Sequence, residues 1–298
     1  MSRESPRFNL RHWLQDLVFR SIIGGLLLLP YRWRVPLCGW AVSALIAPLA
    51  GYRRRIRENL ALVLPELPDK EVRRLVRQVP NNIGRSLIET YSGQEFINRS
   101  AALPLAGEGV EALAGAHEAG QPVVLVTAHI GNYDACRAAL RARGYNVGGL
   151  YMEMSNRFFN EHYVAAMRQI GGPVFARDRR GMAGMVRFLR DGGMLGMLVD
   201  QRMRSGRLLG FFGHEALTAL SAAELALKYN ALLVPVYAIR QEDGLSFQII
   251  IESPISHEDP VTMTQALNDS LEALVRQHMD QWFWIHRRWR DGGARITG

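Results

Sequence analysis

The sequence is poor in cysteine and in lysine, and it lacks the usual nucleotide-binding motifs. Its two cysteines, Cys38 and Cys136, show neither Cys-x-x-Cys nor Cys/His spacing, so we expect no disulfide framework and no zinc site. No Gly-x-Gly-x-x-Gly follows a predicted strand and no Walker loop is present, so we expect no nucleotide or other cofactor. Only two of the 36 basic residues are lysine and the rest are arginine. The guanidinium group of arginine suits bidentate phosphate binding.

A charge surplus is missing from the last two thirds of the chain. Residues 101–298 hold 20 basic and 20 acidic side chains, whereas residues 1–100 hold 16 basic and 8 acidic ones, so the whole net charge of +8 lies in the first third. A neutral region without a recognition motif disfavours nucleic acid as a partner. The asymmetry indicates instead that the first third meets an anionic surface.

No uncharged run is clearly long enough to cross a bilayer, which takes about 20 residues. Residues 21–31 and 35–52 are uncharged, the second run being 18 residues long with two prolines inside it. Arg20 and the Arg32/Arg34 pair interrupt the apolar stretch, so a signal peptide fits poorly. Two interpretations remain open, a pair of buried core helices and a membrane anchor that spans once or lies in the interface.

The residues that flank these runs favour the anchor. Aromatic side chains stand at the segment ends, as they do at membrane interfaces: Tyr31, Trp33, Trp40 and Tyr52. The second run is followed at once by a cluster of arginines: Arg53, Arg54, Arg55 and Arg57. By the positive-inside rule, this cluster predicts the cytoplasmic face of an inner membrane. We therefore expect residues 1–100 to be a helical, basic, membrane-associated region in contact with membrane lipids.

From Pro104 onward, short apolar runs alternate with helical segments, a pattern typical of an α/β fold with a largely parallel sheet covered by helices. We expect residues 101–298 to form this domain. The predicted strands cover residues 122–127, 147–152, 194–199, 232–239 and 246–252. The predicted helices cover residues 133–143, 157–170, 182–190, 219–229 and 263–280, and residues 201–213 are predicted to be a loop.

The candidate catalytic pair is His129 and Asp134, which follow the strand at 122–127. Five residues of continuous helix would place them on different faces, so they can meet only if the chain bends at Gly131. Asn132 is a favoured N-cap, which puts Asp134 in the first helical turn, from where it could turn back toward the imidazole. Such a pair is a general base, although a structural hydrogen-bonded pair is the alternative. Because no Gly-x-Ser-x-Gly elbow is present, the nucleophile would be a hydroxyl of the substrate.

These residues carry a family resemblance. The segment 129–134, His-Ile-Gly-Asn-Tyr-Asp, resembles the HX4D/E motif of the glycerolipid acyltransferase superfamily. The whole chain resembles the lipid A late acyltransferases of the lauroyl/myristoyl branch. The further matches are Asn59, Pro65-Glu66, Asp200-Gln201, Phe211-Phe212-Gly213, Pro235, and the C-terminal segment 282–290, Trp-Phe-Trp-Ile-His-Arg-Arg-Trp-Arg.

The resemblance implies a glycerolipid acyltransferase-like fold and a reaction. His129 would activate a hydroxyl of a hydroxyacyl chain on a lipid A precursor, which attacks the thioester of an acyl carrier protein, while Asp134 orients His129. This chain departs from the family pattern at two positions. The closest enteric members usually carry Glu where this chain has Asp134. In the family an arginine often follows the tyrosine that matches Tyr151, whereas here Met152 follows it, so Arg157 is the candidate for the substrate-contacting arginine. The expected substrate-binding residues are Asn132, Arg157, Asp200, Gln201, Arg287 and Arg288.

Alternatives remain open at several of these positions. Asp200 is equally explained as a strand-end carboxylate that caps the next turn or pairs with Arg202 or Arg204. Arg287 and Arg288 are equally explained as a solvated fringe over buried tryptophans. An acidic carrier protein needs a basic docking patch, for which Arg177, Arg179, Arg180, Arg187 and Arg190 are candidates. A lysophospholipid or aminolipid acceptor, and a catalytically silent lipid-binding protein, are the competing functions.

Overall fold

The computed structural model of the protein describes residues 9–289. The helices are α1 (Leu10–Leu27), α2 (Tyr31–Ala41), α3 (Ala47–Leu49), α4 (Tyr52–Val63), α5 (Asp69–Tyr91), α6 (Gln94–Ala101), α7 (Val110–Glu118), α8 (Tyr133–Ala142), α9 (Arg157–Ile170), α10 (Arg179–Arg190), α11 (Ser221–Tyr229) and α12 (Pro260–Gln277), and a π-helical turn (Val42–Ile46) joins α2 to α3. The strands are β1 (Leu105–Ala106), β2 (Val123–Thr127), β3 (Val147–Tyr151), β4 (Val174–Ala176), β5 (Met194–Leu198), β6 (Arg207–Phe211), β7 (His214–Thr218), β8 (Leu232–Arg240) and β9 (Phe247–Ile251).

Seven strands form the central sheet in the order β1-β9-β8-β2-β5-β3-β4. The pairs are parallel except for the antiparallel pair of β8 and β9. All five residues of β2 are buried, as expected for a central strand of a sheet covered by helices on both faces. The predicted α/β class with a largely parallel sheet is confirmed.

Two features differ from the sequence prediction. The predicted loop 201–213 contains β6, which forms an antiparallel hairpin with β7. Its first two residues, Arg207 and Leu208, are exposed, so the segment lacks the apolar run that marks a buried strand. Strand β4 is also new, and with three half-buried residues at the sheet edge it is too short to give a periodic signal.

The N-terminal helices bury one face and expose the other. Val35, Cys38 and Val42 are buried at helical spacing along α2 and the turn that follows, where α2 packs on α5. The two helices approach closely: a Cβ on Gly39 would lie 2.8 Å from the backbone oxygen of Asn81, and one on Gly84 would lie 2.7 Å from that of Cys38. Glycine at both positions therefore permits this packing.

The opposite faces carry large apolar side chains in contact with solvent. On α1 these are Leu10, Trp13, Leu14, Leu17, Val18 and Ile22, and on α2 and the segment after it they are Trp33, Leu37, Trp40, Leu45, Ile46 and Leu49. Of the four aromatic residues expected at an interface, Trp33 and Trp40 are exposed, Tyr52 is half-buried and Tyr31 is buried. Among residues 9–289, no single helix meets the length and hydropathy of a membrane span, although the bent pair 31–49 and 52–63, at 83°, meets them jointly.

Candidate active site

The candidate site lies at the carboxyl ends of two adjacent parallel strands, β2 and β5. Thr127 is in register with Leu198, so the residues two positions beyond them, His129 and Asp200, emerge side by side. The imidazole Nδ1 of His129 lies 2.8 Å from Oδ1 of Asp200, and the backbone N–H of His129 donates to Oδ2 at 2.9 Å. The indole N–H of Trp282 donates to the same Oδ2 at 3.1 Å. Asp200 is thus a buried carboxylate whose two oxygens are both bound.

The electrostatics of the pair fix the tautomer of His129. Burial alone raises the pKa of Asp200, but the attraction of His129 and the hydrogen bonds from His129 and Trp282 outweigh it and hold this pKa below its ordinary value. Asp200 is therefore ionised at neutral pH and acts as an acceptor, so Nδ1 of His129 carries the proton. The lone pair of Nε2 then accepts only a long hydrogen bond, from the Gln201 amide nitrogen at 3.4 Å, which a substrate hydroxyl can replace.

Among the described residues no hydrogen bond joins Asp134 to His129, so the orienting role expected of Asp134 stays a prediction. Asp134 does lie in the first turn of α8, which begins after the N-cap Asn132. Its carboxylate accepts instead from the guanidinium of Arg137 at 2.8 Å, one turn along the same helix, and from the Thr90 hydroxyl at 3.3 Å. The Arg137 guanidinium lies three residues away on the same helix face and is permanently charged, so it forms a stronger hydrogen bond with the Asp134 carboxylate than the His129 imidazole would.

The bend between the two residues is held tightly. Gly131 has a φ of +54°, and a Cβ there would lie 1.8 Å from the backbone oxygen of Ala238 on β8. The carbonyl oxygen of Gly131 accepts from the Asn82 amide at 3.1 Å and from the Ser86 hydroxyl at 2.8 Å, both on α5. The position therefore excludes any other residue, and α5 fixes the loop that carries His129.

A buried ion pair beneath this loop was missed by the sequence reasoning. Glu89 on α5 is fully buried and pairs with the guanidinium of Arg240 at 2.5 and 2.8 Å. The Asn132 amide donates to Glu89 at 2.8 Å, and Nε of Arg240 donates to Asn82 at 2.8 Å. One signal could have found it: Glu89 lies on the helix face that also carries Asn82 and Ser86, and Arg240 ends a strand at the edge where sites form.

A cavity of about 190 Å³ adjoins the histidine, between α5 and the loop after β2. Its wall includes His129, Tyr133, Tyr163 and Phe283. The rings of Tyr133 and Phe283 lie 5.7 and 5.4 Å from the imidazole ring centre. A substrate group in this cavity would therefore contact His129 between aromatic walls, with the polar side chains of Ser86, Thr90 and Gln281 also lining the space.

The other predicted site residues are dispersed. Asn132 and Gln201 lie beside His129. The Asn132 side chain already caps α8 and donates to Glu89. Arg157 is exposed at the start of α9 and pairs with Glu161 at 2.9 Å. Arg288 is buried and donates to Leu217 and Thr218 at 2.6 Å, so its place does not suit the expected contact with a lipid phosphate.

In the C-terminal segment, Arg287 is exposed to solvent and its neighbour Arg288 is buried. Trp282, Trp284 and Trp289 are buried against Phe211 and Phe212. These two phenylalanines therefore pack in an aromatic cluster. Arg290 lies outside the described residues.

The fold and the site describe an α/β protein in which a histidine and a buried carboxylate lie beside a cavity at the carboxyl edge of the sheet. Comparison with known proteins identifies the family. The model of the bacterial lipid A biosynthesis acyltransferases matches residues 3–291, so the chain belongs to this family and is an acyltransferase. The resemblance found in the sequence is thereby confirmed.

Two relatives illustrate the range of the similarity. The lipid A biosynthesis lauroyltransferase of Escherichia coli K12 is 24% identical over 79% of this chain and 78% of its own length. The lipid A biosynthesis acyltransferase of Haemophilus influenzae is 22% identical over 96% of this chain and 92% of its own length. The similarity thus covers the N-terminal helices as well as the sheet.

Proposed function

We propose that this protein transfers a fatty acyl chain from the thioester of an acyl carrier protein to a hydroxyl of a hydroxyacyl chain on a lipid A precursor. The observation that carries the proposal is the His129–Asp200 pair beside an aromatic-walled cavity, in a chain of the lipid A acyltransferase family. The acceptor class, lipid A, is taken from the two relatives, which are both lipid A biosynthesis enzymes.

The chemistry follows from the tautomer of His129. Its free Nε2 removes the proton of the acceptor hydroxyl, and the oxygen attacks the thioester carbonyl carbon. Collapse of the tetrahedral intermediate breaks the carbon–sulfur bond, and the thiolate takes the proton back from the imidazolium. Asp200 stabilises the imidazolium between these two steps, since its buried negative charge lies 2.8 Å from Nδ1.

The donor is proposed to dock on α10. Five arginines expected from the sequence to form the docking patch are exposed on α10 or immediately before it. They are Arg177, Arg179, Arg180, Arg187 and Arg190. An exposed basic helix suits an acidic carrier protein better than coenzyme A, because several separated charges add to the attraction for a large acidic surface.

The activity test uses the purified full-length protein with a lipid A precursor and acyl carrier proteins loaded with chains of several lengths. We expect the precursor to gain the mass of one acyl group, and His129→Ala to lower kcat by about 10²–10⁴-fold. His117→Ala, an exposed histidine on α7, is the matched control and should be unaffected. Near-normal transfer by His129→Ala would refute the mechanism; transfer only to lysophospholipid would refute the acceptor, and equal rates with acyl coenzyme A would refute the donor.

The N-terminal helices are proposed to hold the enzyme on the cytoplasmic face of the inner membrane. Trp33, Leu37 and Trp40 line one exposed face of α2 at helical spacing, and the exposed Arg32 lies beside Trp33. Apolar side chains bordered by arginine suit insertion into an anionic lipid surface, where both the hydrophobic and the electrostatic terms are favourable.

The membrane proposal is tested by co-sedimentation with vesicles that contain anionic phospholipid. We expect Trp33→Ser with Trp40→Ser to weaken binding severalfold without lowering Tm, since each exposed substitution costs at most about 0.5 kcal/mol of stability. Leu208→Ser, which removes an exposed apolar residue from the β6–β7 hairpin, is the control. Equal binding by all three proteins would contradict the proposed anchoring face.

A further inference from the structure

A second cavity, of about 530 Å³, shares Phe283 with the catalytic cavity. Three arginines from distant parts of the sequence line it: Arg55 from α4, Arg202 from the loop after β5, and Arg287 from the C-terminal segment. Tyr52 and His286 lie beside them, and within residues 9–289 no carboxylate borders this space. The cavity is therefore a concentrated positive region next to the proposed reaction centre.

Two of these arginines lack an internal partner. The side chains of Arg55 and Arg287 make no hydrogen bond or ion pair with any described residue, and Nε of Arg55 is buried without a partner. Arg240 uses all three nitrogens of its guanidinium, and Arg288 uses both terminal nitrogens, although its Nε, like that of Arg55, is buried without a partner. Arg55 and Arg287 differ from these arginines because their terminal nitrogens bond to no described residue, so both forks are available to a ligand.

The walls of this cavity are held rigidly. The Asn59 amide, one turn after Arg55, donates to the carbonyl oxygens of Trp284 and His286 at 2.7 and 2.9 Å and ties α4 to the C-terminal segment. The backbone N–H of Arg202 donates to Nε2 of His286 at 2.9 Å. The arginine-bearing segments are thus joined before any ligand arrives, which lowers the entropy cost of binding.

His286 contributes a neutral donor. Burial lowers the pKa of His286 to about 4, so the ring is uncharged at neutral pH. Because Nε2 accepts from Arg202, the proton lies on Nδ1. The cavity therefore offers guanidinium forks and a neutral N–H, a donor set that matches the oxygens of a phosphate.

We propose that this cavity binds a phosphate ester of a substrate and thereby places that substrate against His129. The assignment to a substrate rests on the proposed function; the anion site itself does not. Two sources share the chemistry, the phosphate of an anionic glycolipid acceptor and the phosphodiester of the carrier's prosthetic arm. In either case the phosphate would lie in this cavity while the reacting group lies in the catalytic cavity on the other side of Phe283.

Direct binding tests the site without any assay of activity. Calorimetric titration of the full-length protein in neutral detergent uses inorganic phosphate and glucosamine 1-phosphate as probes. We expect saturable binding of both, weakened about tenfold or more in Arg55→Gln/Arg287→Gln. Arg73→Gln, an exposed arginine on α5 outside the cavity, removes the same charge and should bind as the unmodified protein does. Equal affinities for all three proteins would overturn the proposal.

A second set of measurements guards against misfolding and identifies the source. Arg287→Gln alone changes an exposed side chain and should keep Tm while still weakening phosphate binding severalfold. With an active enzyme, a raised KM for the acceptor alone assigns the site to the glycolipid, and a raised KM for the donor alone assigns it to the carrier arm; unchanged KM values for both would overturn the link to catalysis. A protein that binds phosphate but transfers no acyl chain would refute the proposed function and leave the anion site intact.

Discussion

Two buried carboxylates follow two neighbouring strands, and they have different roles. Asp200, after β5, contacts the imidazole of His129 and the indole of Trp282. Asp134, after β2, pairs with Arg137, whose guanidinium also donates to the carbonyl oxygens of Met167 and Gly171 at the C-terminal end of α9. The first carboxylate is connected to the proposed chemistry, and the second connects two helices.

The difference comes from sheet geometry. In parallel strands, residues in register lie adjacent, and Thr127 is in register with Leu198. The next residue continues the ladder, since the backbone N–H of Val199 donates to the carbonyl oxygen of Thr127. His129 and Asp200 are each two positions further on and therefore meet, although 71 residues separate them. Asp134 is close in sequence, but the bend at Gly131 leads it away into α8.

The largest expected effect distinguishes the two carboxylates directly. Asp200→Asn keeps the shape of the side chain but removes the charge that selects the tautomer of His129. We expect kcat to fall by about 10²–10⁴-fold, because an amide can donate to Nδ1 and leave the proton on the wrong nitrogen. Steady-state rates with the lipid A precursor and acyl carrier protein measure this, and a kcat within a factor of about two of the unmodified enzyme would refute the role of Asp200.

The same variant has a pH signature. The pKa of Asp200 is lower in the folded protein than in the unfolded chain, so the carboxylate stabilises the fold above its unfolded pKa, about 3.9, and this contribution is lost as the pH falls through the folded pKa. The Tm difference between the unmodified protein and Asp200→Asn should be constant above about pH 5 and shrink below about pH 4. Asp191→Asn, an exposed carboxylate after α10, is the control and should show no such change.

Much of the fold was predictable because its signals are local. The strands β2, β3 and β5 are short, largely apolar runs, and α9 was predicted with its observed bounds. The N-cap at Asn132 and the bend at Gly131 were also predictable, because each depends on the conformational preference of one residue.

The partners within the site were harder to predict, since they depend on strand order. The sequence does not show that β2 lies between β5 and β8, and without that order Asp200 and Arg240 have no defined neighbours. Glu89 is a polar residue in a predicted helix, and only the packing of α5 over the β2–α8 loop explains its burial. The docking of the C-terminal aromatic segment on Asp200 is likewise a contact between residues 82 positions apart.

The smaller expected effect on activity belongs to Asp134, and the larger effect there is on stability. Asp134→Asn leaves the Arg137 guanidinium buried without its counter-ion, which typically costs about 3–5 kcal/mol. We expect a clear loss of Tm and of the denaturant midpoint, with kcat lowered by less than about tenfold at a temperature where the variant is folded.

A double variant separates the ion pair from the chemistry. Asp134→Asn/Arg137→Met removes both charges and should be more stable than Asp134→Asn alone, because no buried charge is left unpaired. If Asp134→Asn instead lowered kcat as far as Asp200→Asn does while Tm stayed unchanged, Asp134 would act in the reaction as its place in the HX4D/E-like motif suggests. In that case the imidazole would have to leave Asp200 during turnover, since Asp200 contacts His129 whereas Asp134 contacts Arg137.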